Sequence, residues 1–143
     1  MFNTAHLHPI IVHFPVALIT IGFIMEVIAL FFKSERCLSK AGFYLMILGT
    51  LAAIAAWLTG QLFTSQPTQD AIAGVFKKHE TGGLITMIMM IICSSFRIWL
   101  MVQKKEETQL KWVAFVFYLL GFAAVTFTGF MGGTMVYNYM IAL

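Results

Sequence analysis

The chain has 143 residues, of which 60% are hydrophobic and 10% charged, against roughly 25% charged in soluble domains. That balance excludes an ordinary soluble domain and makes the lipid bilayer the expected surroundings. The formal net charge is +3, but the basic residues form no stripe and sit at the ends of apolar runs, so no nucleic-acid partner is expected.

A hydrocarbon core about 30 Å thick asks for about 20 apolar residues per helix. Four runs meet this, giving expected helices over 9–32, 41–63, 79–102 and 110–137 of a single domain spanning 1–143. The fold class is therefore all-α: a four-helix transmembrane bundle running up-down-up-down through short connections.

The first run opens His8-Pro9-Ile10-Ile11-Val12-His13-Phe14-Pro15. No basic residue precedes it and no small-residue cleavage pattern closes it, so it is expected to remain as a permanent span. Pro9 suits a first helical position behind an N-cap His8. Pro15 either bends the helix beside His13 or begins it, leaving 8–14 as an irregular lead-in; both options place a backbone defect near His13. The second run carries Gly49 with Ala53, and the ladder Ala52, Ala56 and Gly60, spacings that let backbones approach closely in lipid. After it, Pro67, Ile72, Val75 and Phe76 suit a short amphipathic surface helix that can run straight into the third span. The fourth run brings Gly121, Gly129, Gly132 and Gly133.

Charge sets the orientation. Lys33, Arg36 and Lys40 lie in the first connection and Lys104, Lys105 and Lys111 in the third, whereas the middle one holds only Lys77 and Lys78 and the two ends none. The positive-inside rule makes the first and third connections cytoplasmic and puts both termini outside. In a Gram-negative cell that corresponds to the bacterial inner membrane with the termini in the periplasm. His6, His8, His13 and His79 then all arrive at the outer leaflet.

Ionisable groups inside spans are rare and usually mark function, and bundle cofactors are held by side chains on facing helices. His13 and His79 are the expected ligands, with His8 a close candidate and His6 incidental. A bis-histidine b-type haem needs two axial nitrogens and a flat slot. Gly82 and Gly83, one turn deeper than His79, and Gly60 and Gly129 to Gly133 at the same level are expected to leave that room. Phe14, Trp57, Phe63 and Phe130 are expected to pack its faces, and Lys77 and Lys78 to meet propionates at the rim. The competing readings are a compact zinc, copper or iron ion held by His8, His13, His79 and Glu80, and a cofactor-free subunit in which the histidines only anchor helices.

The His-Pro-x-x-Val-His-Phe-Pro opening resembles that of a family of small bacterial inner-membrane proteins of unknown function. The resemblance extends to Thr59-Gly60, to His79 with Gly82 or Gly83, and more loosely to Gly132-Gly133 with Val136-Tyr137. It implies a four-helix bundle, and relatives joined to c-type cytochrome domains imply redox work. The expected role is an electron carrier or subunit rather than a stand-alone enzyme, exchanging electrons with a membrane quinol and a periplasmic redox partner. Self-association is left open.

Deeper in the spans, Glu26 and Arg97 each lie roughly 8 to 9 Å from the cytoplasmic ends of their helices. They are expected to pair or share a water, with snorkelling of Arg97 the competing reading. Cys37 and Cys93 fall at different depths and are not expected to form a disulfide. The methionines read as filler. No hydrolytic constellation or nucleotide-binding loop is present.

Overall fold

The computed structural model describes residues 7–32, 36–64, 67–68 and 70–139; His6 lies outside them. Their regular structure is helical: α1 (Leu7–Ile11), α2 (His13–Phe31), α3 (Arg36–Phe63), α4 (Asp70–Val102) and α5 (Leu110–Tyr139). Four stretches are long and apolar enough to cross a membrane, namely His8–Phe31, Cys37–Phe63, Ile72–Val102 and Leu110–Tyr139. α2 packs on α3 and α4 on α5, and the two pairs close through α3 against α4 and α2 against α5.

The first span carries the defect its prolines demand. Pro15 has no N–H to offer the Ile11 carbonyl, and its ring crowds that oxygen. The helix accordingly breaks after Ile11, with Val12 as a turn held by a bond from its N–H to the His8 carbonyl at 3.0 Å. Val12 itself keeps helical dihedrals (φ −62°, ψ −21°), so the span runs from His8 to Phe31 with a local defect next to His13, as the first of the two expectations has it.

At 33 residues, or about 50 Å at 1.5 Å per residue, α4 is longer than a span needs. The expected surface helix and third span are one element, starting at Asp70 rather than at Pro67. The other end of α4 closes with Lys104 in the left-handed region at φ 53°. Lys104 N–H bonds the Met101 carbonyl at 3.0 Å and Lys105 N–H bonds Leu100 at 2.9 Å, the paired closure of a Schellman cap.

Small residues set how closely the helices approach. A Cβ at Gly42 would meet the Gly22 carbonyl oxygen at 3.2 Å and Glu26 Cγ at 2.9 Å, and one at Gly49 would meet Ile19 Cγ1 at 2.8 Å. α2 and α3 therefore touch nearly backbone to backbone. Between the pairs, Ile19, Met46, Met90, Cys93, Tyr118 and Val125 form the buried centre, and Phe23 stacks on Phe122 with centroids 4.8 Å apart. Two polar links cross it. Thr50 and Ser94 hydroxyls lie 2.6 Å apart, and Arg97 Nη2 donates to Glu26 Oε1 at 2.9 Å, forming the expected pair in place of the snorkelling alternative. Cys93 is buried and Cys37 exposed, and both are free.

Candidate functional site

One end of the bundle encloses a cavity of about 830 Å³, inside the range of about 300–1,000 Å³ common to small-molecule and cofactor sites. The starts of the first and third spans and the ends of the second and fourth all contribute to it. His8, His13 and His79 line it together, as the shared depth of the histidines leads one to expect.

Each imidazole is oriented by a protein oxygen. His79 Nδ1 lies 2.9 Å from the Thr128 carbonyl of α5, and His13 Nδ1 lies 2.6 Å from the Pro9 carbonyl one turn back. A carbonyl only accepts, so both Nδ1 atoms carry the proton. His8 Nδ1 sits 3.2 Å from Thr59 Oγ1. That hydroxyl already donates to Ala55 and Ala56 carbonyls at 2.9 and 3.0 Å, so towards His8 it accepts. In its neutral form each ring is thus the Nδ1–H tautomer, with its lone pair on Nε2. A backbone or hydroxyl oxygen fixing one ring nitrogen while the other stays available is the usual support for a ligating histidine.

The pairing differs from the one spacing suggests. The ring beside His79 is that of His8, with centroids 6.4 Å apart and planes at 83°. His8 is 8% exposed, whereas His13 is exposed at the cavity edge. On a helix, residues five apart differ by about 140°, so the turn of helix that directs His8 at α3 and His79 carries His13 round to the cavity edge.

The glycines divide into three roles. Gly60 and Gly132 are seats for imidazoles: a Cβ at Gly60 would stand 3.0 Å from His8 Cε1, and one at Gly132 would stand 3.2 Å from His79 Cε1. Gly83 and Gly133 have open space where a Cβ would go, and both line the cavity, so they leave the expected clearance. Gly82 does not. A Cβ there would meet Thr128 Oγ1 at 2.5 Å, which makes it a contact of α4 with α5. On a helix turning about 100° per residue, Gly83 is nearly in line with His79 while Gly82 is rotated toward the neighbour.

The same arithmetic moves Lys77 and Lys78 off this face. Both are exposed and neither lines the cavity. Of the expected aromatic walls, Trp57 lines it; Phe14, Phe63 and Phe130 are instead exposed, at 57%, 37% and 69%. Phe76 and Tyr137 line it unexpectedly; Phe76 was visible only as an apolar position of the amphipathic stretch. Glu80 faces the cavity, but its Oε1 accepts from Gln61 Nε2 at 2.8 Å. Among the described residues, no three His, Cys, Asp or Glu side chains converge as a metal cage.

This arrangement offers two neighbouring imidazoles, a third at the edge, and an otherwise largely apolar chamber, which suits a ligand with extended apolar surface and affinity for nitrogen donors. No curated protein and no solved structure matches the chain. The model of a family described as "Predicted membrane protein (DUF2231)" matches residues 4–143, and the chain belongs to that family.

Proposed function

We propose that the cavity holds a b-type haem between His8 and His79, and that the chain is an electron carrier of the bacterial inner membrane. The observation that carries this reading is the proximity of the two rings on one chamber. His8 and His79 would hold the group through their Nε2 atoms, since haem iron is commonly held by histidine. Their ring centroids lie 6.4 Å apart in an edge-on arrangement. Open space at Gly83 and Gly133 and the volume of the chamber favour a flat, bulky group over a bare ion.

Haem would supply reversible one-electron transfer there. The chain's own contribution is orientation: Thr59 and the Thr128 carbonyl hold the two rings, while Gly60 and Gly132 give them room. Lys and Arg placement orients the up-down-up-down bundle with both termini and the histidines on the periplasmic side. Electrons would pass between a membrane quinol and a periplasmic acceptor, with His13 Nε2 available to a hydroxyl at the cavity edge. The three free Nε2 atoms on one chamber are what favours the second reading, a zinc, copper or iron ion.

Protein purified from haem-replete cells should show a Soret band and sharp alpha and beta bands on reduction. These bands should be lost in His8→Ala and in His79→Ala and retained in His13→Ala. Colourless protein refutes the haem reading; stoichiometric metal without porphyrin absorbance then supports the ion, and neither supports a cofactor-free subunit.

A further inference from the structure

At the opposite end of the bundle from the histidines lies a second, smaller cavity of about 40 Å³, bordered by Glu26, Cys93, Arg97, Lys111, Trp112 and Tyr118. Its polar inventory is far from satisfied by the protein. Tyr118 is 2% exposed, and its hydroxyl has no hydrogen-bond partner among the described residues. Arg97 has five N–H donors, of which one reaches Glu26 Oε1. The two side chains are largely buried, at 17% and 12% exposure, and the Tyr118 hydroxyl is the buried side-chain polar atom without a partner among the described residues.

A buried hydroxyl left without a partner costs about 1–3 kcal/mol, and an ion pair in hydrocarbon stands only when its spare lone pairs and protons are met. The space meets the requirement of size as well. One water needs about 10–15 Å³ measured this way together with two to four polar partners, so about 40 Å³ accommodates one to three.

We propose that this pocket is a hydrated site, in which water bound between the Tyr118 hydroxyl, the Glu26 carboxylate and the Arg97 guanidinium joins the buried ion pair to the surface beside Lys111. The ligand class is water, and through it the proton. Tyr118 donates to a water that bridges to Glu26, while Arg97 donates its free N–H groups to the same cluster. Lys111, on the first turn of α5, stands where the cluster reaches the surface, its side chain 39% exposed. The site gives the intramembrane carboxylate a route for proton exchange on the side away from the histidines, and it stands whether or not the histidine cavity holds haem.

X-ray radiolytic footprinting tests this on the full-length wild-type protein in lipid nanodiscs, because hydroxyl radicals formed from bound internal water label the side chains that touch it. The internal control is Phe23, which packs edge-on to the Tyr118 ring at 5.5 Å, is 8% exposed, and does not border the cavity. Normalised to the unfolded chain, Tyr118 is expected to label several-fold faster than Phe23. A Tyr118 as protected as Phe23 overturns the proposal. The comparison needs no substitution, so a variant that fails to fold cannot obscure it.

Discussion

Removing the charge of Glu26 isolates what the intramembrane ion pair contributes. Glu26→Gln keeps the shape that fits beside Gly42, where the Glu26 Cγ and a Cβ would stand only 2.9 Å apart, and leaves Arg97 charged without its partner. An unpaired Arg costs about 2.5–3.5 kcal/mol at the centre of a span on insertion scales and less towards its end, and breaking one side of a buried pair costs about 3–5 kcal/mol in proteins. The pair here is joined by one bond of 2.9 Å and is slightly open, at 17% and 12% exposure. The lower figures therefore apply, and Glu26→Gln should destabilise the bundle by about 2.5 kcal/mol. Arg97→Gln should cost a similar amount. The double variant should cost clearly less than the sum, with a coupling of about 1.5 kcal/mol or more, within the span seen for residues in direct contact. Equilibrium unfolding of the four proteins in mixed detergent micelles, followed by circular dichroism, measures the cycle. A coupling under about 0.5 kcal/mol, the usual error of additivity, would refute the reasoning, because Arg97 would then be solvated independently of Glu26.

Three further outcomes follow from the geometry. Gly60→Ala places a methyl 3.0 Å from His8 Cε1 and should push the ring off Thr59, lowering cofactor absorbance, whereas Gly133→Ala enters open space and should stabilise the apoprotein by up to about 1 kcal/mol through helix propensity; unfolding curves and spectra of the two variants separate the roles. Thr59→Val removes the hydroxyl acceptor of His8 Nδ1–H at 3.2 Å and should cost about 1 kcal/mol, with a shift in the His8 ring-nitrogen resonances measured by NMR on labelled protein. Lys104→Gly relieves a left-handed residue at φ 53° and should stabilise by about 1 kcal/mol, seen as a higher unfolding temperature.

Depth along the membrane was readable from the residues because each helical residue advances a fixed 1.5 Å. That is why the histidines meet in one cavity and why Glu26 finds Arg97. Rotation was readable only within an unbroken helix. Applied strictly to α4, the 100° step already separates Gly83 from Gly82 and turns Lys77 and Lys78 away from His79. What no single helix discloses is the offset between neighbours, which the contact of Gly22 with Gly42 and the seat of His79 on Gly132 set in three dimensions.

The first span shows where such arithmetic fails. Two histidines five residues apart differ in phase by about 140° on one continuous helix, so a wheel drawn through both cannot say which faces inward. The turn bearing His8 lies over the end of α3, where Thr59 accepts its proton and Gly60 admits its ring. The same motif that drew attention to His13 thus also holds His8, the ring set against His79. A proline inside a span is tolerated when neighbouring groups take over the lost backbone bonds.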